Sequence, residues 1–323
     1  MDERILLKFI CYSKDITLEM VKEWCLNASK CFTPERMMGL FISNRKHCKY
    51  NEKKFYDGLE KELSSGKISL RLSDNTNSFV IVQNAETVIF SLIMDKSLAL
   101  VDFDSMIDSF MLQCGIVALK CALEDDFWQN ADNLLYYTSK NKSLDGIKTK
   151  IREIGLKEEI VDIEYNPGHN HRPKGIWFGS CHKMWFGKAY YQYIDREKFA
   201  QFNNCYENKE LGNDVIRITL YENLWAYDKE ENRKIQWDFR KKVGIDDVAH
   251  LLENMDRQIN HGAELEILTS NLPDGVSRVM NYYLDDEDNY ISKEKASKVR
   301  TYGFSEKGQV LSFNERVIKE DKA

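Results

Sequence analysis

The fold is decided by the stretch ISLRLSDNTNSFVIVQNAETVIFSLIM, residues 68–94. It contains three apolar runs, at 68–72, 79–82 and 87–94, and the first two are separated by a loop of Asp, Asn, Thr and Ser. Short runs of apolar and β-branched residues between turn-forming residues are typical of β-strands. The stretch therefore predicts consecutive antiparallel strands, a meander, which we expect residues 98–103 to extend.

The residues around this meander predict a buried strand and several helices. Ile5–Cys11 is a short apolar run, and helical spacing of apolar residues follows from Thr17 to about Cys31. Thr33-Pro34-Glu35 has the composition of a helix start, with a capping residue followed by proline. A further helix is expected from Asn51 to Gly66, where glycine allows a left-handed C-cap. Asp104-Ser105 is expected to cap a long apolar helix that reaches about Leu123.

The second half of the chain combines helical and strand patterns. Alternation of apolar and polar residues over 216–220 and again over 235–239 predicts a hairpin with one dry face. Helices are expected from Asp246 to Ile259 and from Asp274 to Leu284. The chain is thus assigned to the α+β class, with an N-terminal meander sheet and a C-terminal mixed or antiparallel sheet, each with helices. The expected divisions are an N-terminal domain (1–125), a helical connector (126–157) and a C-terminal domain (158–323).

Composition narrows the class of protein. The chain has 323 residues, a net charge of −6 and a pI of about 5.7, whereas a nucleic-acid-binding domain usually shows a basic patch and a pI above about 9. No apolar run approaches the ~20 residues needed to cross a bilayer, and the 8 cysteines include no Cys-x-x-Cys pair. We therefore expect a cytoplasmic protein with reduced thiols, without nucleic-acid or membrane partners and without a cofactor.

An aromatic segment, Ile176–Tyr193, contains two Trp-Phe-Gly units eight residues apart, followed by three tyrosines. Tryptophan and tyrosine serve equally well in cores and as anchors of protein interfaces, so both interpretations stay open. If the segment binds a partner, the candidate contact residues are its rings, a tryptophan further along the chain and the polar loop before it: Trp177, Trp185, Tyr191, Trp225, His169, Arg172 and Lys174.

The loop before the aromatic segment also contains groups that could carry chemistry. His169 and His171 would share one face of an extended segment, and His182 follows within fourteen residues. Because neutral imidazole is a zinc ligand, His169, His171 and His182 form an alternative metal site, although their spacing matches no structural zinc motif. In a different alternative, Cys181 would be a catalytic nucleophile, with one of these histidines as its base. A polar loop without catalytic function is the plain alternative.

A second candidate for catalysis is the run Leu98–Ser105, in which four apolar residues precede Asp102-Phe103-Asp104. This pattern resembles the first motif of haloacid-dehalogenase-like phosphatases. The resemblance implies that Asp102 is the nucleophile and Asp104 the proton donor. Met106 stands where that family has Thr or Val, and the preceding segments look like a meander instead of alternating strands and helices. In the plain alternative Asp104 caps a helix and Asp102 ends a strand.

These features favour a non-catalytic protein that binds, and inhibits or neutralises, another protein. The low-proline chain rich in Lys, Asn and Tyr, with a Trp-Phe-Gly segment before acidic and aromatic strands, resembles the immunity proteins of bacterial toxin systems and the counter-defence proteins of phages. The resemblance extends over residues 160–255 and transfers no functional residue. A homo-oligomer is compatible with it. The enzymatic alternatives are the metal-dependent hydrolase and the phosphatase described above.

Overall fold

A computed structural model of the chain describes residues 3–30, 32–84, 86–100, 102–152, 158–259, 264–286, 290–306 and 310–318. The chain divides into two compact units, residues 1–250 and residues 251–323. Both contain antiparallel sheets, and helices flank the strands of the first, so the predicted α+β class is confirmed. Among the described residues, no helix combines the length and the apolar composition that a membrane crossing requires.

The first unit is built on a ten-stranded sheet. Its strands are β1 (Arg4–Tyr12), β2 (Arg36–Gly39), β3 (Cys48–Lys49), β4 (Ser69–Ser73), β5 (Ser78–Asn84), β6 (Thr87–Asp95), β7 (Gly115–Ala122), β10 (Lys183–Phe186), β11 (Glu207–Gly212) and β12 (Val215–Thr219), while β8 (Thr149–Ile151) and β9 (Glu159–Val161) form a separate pair. The helices are α1 (Leu18–Ser29), α2 (Leu40–Ser43), α3 (Glu52–Ser65), α4 (Phe103–Cys114), α5 (Leu123–Asn130), α6 (Leu134–Ser139), α7 (Arg196–Ala200), α8 (Glu230–Val243) and α9 (Ile245–Ile259), the last of which begins in this unit.

The predicted meander is confirmed as β4–β5–β6, and the predicted first strand, β1, lies beside it. The spatial order is β11-β12-β10-β7-β1-β6-β5-β4-β2-β3. Strand β1 pairs antiparallel with β6 on one side and with β7 on the other. Its residues from Ile5 to Leu7 and from Phe9 to Cys11 are at most 3% exposed. This burial on both faces explains why β1 is apolar almost without interruption.

An aromatic cluster forms the centre of the core. The Trp24 ring of α1 lies 5.0 Å from Phe90, 5.2 Å from Phe110 and 6.0 Å from Phe9, measured between ring centroids. These rings come from α1, β6, α4 and β1, so the cluster holds two helices against the middle of the sheet. Helices α1 and α3 both begin and end close to the predicted residues. Thr17 is the N-cap of α1 and Asn51 that of α3, and Gly66, the C-cap of α3, is in the left-handed conformation (φ 65°).

Three predictions in the first half are wrong. The helix expected from Pro34 is strand β2, and the strand expected over 98–103 is a 3₁₀ turn, Lys96–Leu100, followed by the start of α4. The long helix expected to reach Leu123 ends at Cys114, and Gly115 starts β7. The physical reason in the last case is that β7 is covered on both faces, and a fully buried strand has no periodicity that separates it from a buried helix.

The predicted hairpin is half correct. Residues 216–219 lie in β12, but its partners are β11 and β10, and residues 235–239 belong to helix α8. The buried face of α8 carries three polar residues, Asn232, Gln236 and Arg240, beside the apolar Phe239 and Val243. Because three of these five buried residues are polar, the helical period of the apolar residues is hidden and an accidental alternation remains.

The second unit is a four-stranded antiparallel sheet. Its strands are β13 (Leu265–Leu268), β14 (Arg278–Leu284), β15 (Lys298–Phe304) and β16 (Val310–Val317), in that order. The helix predicted from Asp274 to Leu284 is therefore wrong, since most of it is β14.

The boundary between the two compact units lies at a different place from the domain boundary that the sequence predicts. Strands β7 and β10 pair directly, although they come from the predicted N-terminal domain (1–125) and C-terminal domain (158–323). The predicted connector (126–157) contains α6 and the short strand β8, and residues 153–157 lie outside the described residues. The structural boundary falls between residues 250 and 251.

Replacing Trp185 of β10 by Phe should destabilise the first unit. The ring is 0% exposed and its Nε1 donates a hydrogen bond of 2.6 Å to Asp108 of α4. Loss of ring volume and of this bond should lower the free energy of unfolding by about 2 kcal/mol. Denaturant unfolding measures it, with Trp237→Phe as the control because Trp237 is 37% exposed. Equal losses in the two variants would contradict the core position of Trp185.

Candidate functional site

Two buried histidines are held by a short loop between β9 and the aromatic segment. The turn Asn166-Pro167-Gly168 precedes them, and the His169 amide donates to the Asn166 carbonyl at 3.1 Å. His171 exchanges two backbone hydrogen bonds with Phe178, of 2.8 and 3.0 Å, and is therefore extended. The two side chains, 2% and 6% exposed, point to the same side, with ring centroids 4.9 Å apart.

The corner between α8 and α9 faces this loop. Helix α8 ends at Val243, Gly244 is left-handed (φ 82°), and α9 begins at Ile245. A left-handed residue is usually glycine because a Cβ atom is unfavourable there. The reversal places Arg240, in the last turn of α8, next to Asp246, in the first turn of α9.

Arg240 connects the corner to the loop through all of its donors. Its Nε donates to Asp246 Oδ2 at 3.1 Å, and its Nη1 donates to the carbonyls of His169 (2.8 Å) and Pro167 (3.3 Å). Its Nη2 donates to His169 Nε2 at 2.6 Å and to Asp246 Oδ1. A guanidinium has five N–H groups, so this fully buried side chain has an acceptor for each.

The charges of this corner depend on one another. Burial lowers the pKa of Arg240, and its hydrogen bonds to Asp246 oppose that shift. Burial favours the neutral form of Asp246, but its contacts with the two imidazoles and with the Arg240 guanidinium outweigh burial and hold the pKa of Asp246 well below its usual range. Asp246 is therefore an ionised carboxylate that faces two imidazoles.

Three atoms that could bind a metal ion converge beside Arg240. His169 Nδ1 lies 2.6 Å from the Asn166 carbonyl, which can only accept, so this nitrogen carries the proton and Nε2 of the neutral ring carries the lone pair. His169 Nε2 lies 3.0 Å from His171 Nε2 and 3.3 Å from Asp246 Oδ1. His171 Nε2 lies 3.5 Å from the same oxygen. The group is one of the clusters of potential metal ligands within the described residues.

These distances suit a transition-metal ion. Zinc bonds of about 2.0–2.1 Å in tetrahedral geometry separate ligand atoms by about 3.3 Å. Metal-binding histidines usually donate their other N–H to a carbonyl or carboxylate, as His169 does to Asn166. One contact competes with a metal, because the single lone pair of His169 Nε2 accepts from Arg240. An ion can use that nitrogen only if the guanidinium moves as a whole, because its three nitrogens lie in one rigid plane.

The structure groups the predicted metal ligands differently from the sequence. His169 and His171 come together with Asp246, whereas His182 lies elsewhere, 5.1 Å from the Tyr221 ring between centroids. Cys181 is 6% exposed and its thiol donates to the Lys183 carbonyl at 3.3 Å.

The predicted partner-binding residues separate into buried and exposed groups. Trp177 and Trp185 are 2% and 0% exposed, so neither ring lies at the surface. The Trp177 Nε1 donates to Asn170 Oδ1 at 2.6 Å. Tyr191 and Trp225 are half-buried, and Arg172 and Lys174 are exposed, while His169 belongs to the cluster above. Partner binding by the exposed members stays a prediction.

The two aspartates of the phosphatase-like motif have structural contacts. Asp102 is the N-cap of α4 and accepts from the Ser105 amide at 3.1 Å. Asp104 accepts from Lys120 at 2.8 Å and from Lys183. The predicted helix cap is thus Asp102 instead of Asp104. The strands before the motif are antiparallel, unlike the alternating β and α units of the family it resembles.

Sequence reasoning missed Arg240 and Asp246 as site residues. Asp246 was expected only as the start of a helix, and Arg240 directly follows the alternating run 235–239 of the predicted hairpin. Both lie about seventy residues after the loop they contact, and a single sequence carries no signal of that proximity.

Comparison of the chain with protein families, with curated proteins and with solved structures gives no match. A function has to be inferred from the geometry of the chain itself.

His182 should make the stability of the protein depend on pH. Burial, together with the Lys183 ammonium, lowers the pKa of this 6% exposed side chain from 6.5 to about 4. The folded state therefore holds the neutral ring, and its contribution is complete above pH 6.5 and lost as the pH falls towards 4. His182→Phe should reduce the loss of unfolding free energy between pH 7 and pH 4 by about 3 kcal/mol.

Denaturant unfolding at a series of pH values measures this difference. His47→Phe, at an exposed position, is the control and should keep the wild-type dependence. A His182→Phe variant with the wild-type slope would show that the imidazole does not stay neutral in the folded state.

Proposed function

We propose that the protein binds a divalent transition-metal ion, zinc by its ligand chemistry, through His169, His171 and Asp246. The observation that carries the proposal is the convergence of two imidazole nitrogens and one carboxylate oxygen, 3.0–3.5 Å from one another. Imidazole nitrogen together with carboxylate oxygen suits zinc better than magnesium or calcium, which prefer oxygen alone.

The same geometry favours a hydrolytic role for the ion. Three protein ligands with an open position are the arrangement of catalytic zinc sites, in which the ion activates water or polarises a carbonyl or phosphoryl oxygen. The Asp246 side chain is 30% exposed, so solvent reaches this edge of the cluster. His250 of α9 is 45% exposed at its side chain, and its ring centroid lies 4.8 Å from that of His171. In this proposal His250 exchanges protons with the substrate.

Arg240 has a positioning role in this proposal. Its Nε and Nη1 hold the Asp246 carboxylate and the His169 backbone in place in the chain without an ion. Its Nη2 keeps the ligand atoms together without the ion, because it contacts both His169 Nε2 and Asp246 Oδ1. Metal binding then exchanges one hydrogen-bonding group for a coordinate bond at atoms that are already in position.

The test is the metal content of the purified chain and its variant. We expect about one zinc ion per wild-type chain after dialysis against zinc, and less than about a tenth of that in His171→Ala, which lacks one of three ligands. His47→Ala, at an exposed position outside the cluster, should retain the wild-type content. Mass spectrometry with inductively coupled plasma counts the ions, and circular dichroism confirms that both variants fold. Wild-type protein without stoichiometric metal contradicts the proposal.

A second candidate, protein binding, is favoured by a separate observation. Phe127 of α5 and Tyr136 of α6 are 41% and 47% exposed, with ring centroids 5.5 Å apart, and Leu135 beside them is 70% exposed. Clustered exposed aromatic residues are typical of the centres of protein interfaces. This patch, Phe127–Leu135–Tyr136, is a more accessible surface for a neutralised protein partner than the buried Trp177 and Trp185.

Substitution of the patch tests this second candidate. Phe127→Ser together with Tyr136→Ser should leave the unfolding free energy within about 1 kcal/mol of wild type, because both rings are exposed, and should abolish retention of the partner. Affinity purification from the native host with quantitative mass spectrometry gives the readout. Leu26→Ser is the matched control, since Leu26 is 64% exposed on α1. If wild type, the double variant and Leu26→Ser retain the partner equally, the partner does not bind at this patch.

A further inference from the structure

A cavity of about 780 Å³ opens at one end of the ten-stranded sheet. Its lining includes Tyr12, Lys14, Glu86, Lys174, Gln192 and Tyr193. None of the three proposed metal ligands belongs to it, so it is a separate site. Its volume lies within the range of about 300–1,000 Å³ that is typical of pockets for small ligands.

The walls of the cavity are fixed by the sheet. Strand β1 ends at Tyr12, opposite Thr87 of β6, and the Ser13 amide donates to the Glu86 carbonyl at 2.7 Å. Thr87 Oγ1 lies 2.9 Å from the Asn84 carbonyl and 3.3 Å from the Gly175 carbonyl, so the loop with Lys174 packs closely against the start of β6. Position 175 requires glycine, because φ is 74° and a Cβ atom would lie 2.5 Å from Thr87 Oγ1.

Lys174 has a backbone conformation that is rare for its residue type. Its φ is 53°, in the left-handed region, where non-glycine residues are uncommon. Such conformations persist where the surrounding structure imposes them, and they concentrate at functional sites. Lys174 lies in the lining of the cavity.

The uncharged lining is aromatic and rich in hydrogen-bonding groups. Gln192 Nε2 donates to the Tyr12 hydroxyl at 2.7 Å, which holds these two side chains together. Burial, with the neighbouring Tyr12, raises the pKa of Tyr193 to about 12. Tyr193 is therefore a neutral phenol at physiological pH, with a ring that can stack and a hydroxyl that can donate.

The charged side chains that line the cavity are two lysines and one glutamate, so the lining carries a net positive charge. Lys14 and Lys174 are exposed, and among the described residues neither ammonium group has a carboxylate within 4.0 Å. The Lys14 Nζ lies 5.3 Å from the centre of the Tyr12 ring. Glu86 is the single acidic residue of the lining, and it too has no cation within 4.0 Å in the described part of the chain.

We propose that this cavity binds a nucleoside monophosphate. Its phosphate would lie between Lys14 and Lys174, which offer point charges to an anion. Its base would stack on Tyr12 or Tyr193, and an amino group of the base would donate to the Glu86 carboxylate. The proposal is independent of the metal site, since it uses none of the same residues.

Isothermal titration of the full chain tests the assignment, with AMP, adenosine and ribose 5-phosphate as probes. The protein is treated with a chelator beforehand, so that contact between phosphate and a bound metal cannot produce the signal. We expect AMP to bind at least about 10-fold more tightly than adenosine or ribose 5-phosphate, because only AMP contacts both the lysines and the rings. Lys14→Gln and Lys174→Gln should each weaken AMP binding about 10-fold.

Lys46→Gln, at an exposed position outside the cavity, is the matched control and should leave the affinity unchanged. Ribose 5-phosphate binding as tightly as AMP would overturn the nucleotide assignment and leave a phosphate site. Unchanged AMP affinity in both lysine variants would place the binding elsewhere. Absence of binding by AMP, GMP, CMP and UMP at about 10 mM would overturn the proposal as a whole.

Discussion

The pairing of β7 with β10 is the contact on which the first unit depends, because it joins the first 122 residues of the chain to the aromatic segment in one sheet. The register places Lys120 directly opposite Lys183. Like charges at opposed positions are unfavourable in a sheet. Asp104 removes the conflict, since its carboxylate accepts from both ammonium groups. Burial opposes its ionisation, but the two lysines hold the pKa of Asp104 below its usual value.

A carboxylate also compensates a buried positive charge at the corner of α8 and α9. A buried Arg240 is costly unless every N–H is satisfied and its charge is compensated. The Asp246 carboxylate and the carbonyls of the His169 loop provide both conditions, so the charge fixes the loop and the helix corner against each other. The approach of His169 to Asp246 follows from this requirement, since both side chains contact Arg240. In the proposed function, a metal ion takes the place of the guanidinium Nη2 at these atoms.

Much of the first half was predictable from local patterns. The strands β1, β4, β5 and β6 follow from apolar runs between turn residues, α1 follows from helical spacing, and the end of α3 follows from Gly66. Strand β7 and helix α8 could not be assigned in this way, because full burial removes the polar face that gives a strand its period and buried polar residues obscure that of a helix. For the site, the spacing of His169 and His171 already indicated a shared direction of the two rings.

The sequence by itself determined the α+β class, the meander, the left-handed C-cap at Gly66 and the pair of imidazoles, since these depend on residues within one or two turns of each other. Only the tertiary structure decided that Trp177 and Trp185 are core residues, that His182 is separate from the other histidines, and that Arg240 and Asp246 complete the cluster. The physical reason is that burial and ion pairing are set by contacts between segments far apart in the chain. Such contacts leave no periodicity in either segment, and they exist only once the sheet and the helix corner have formed.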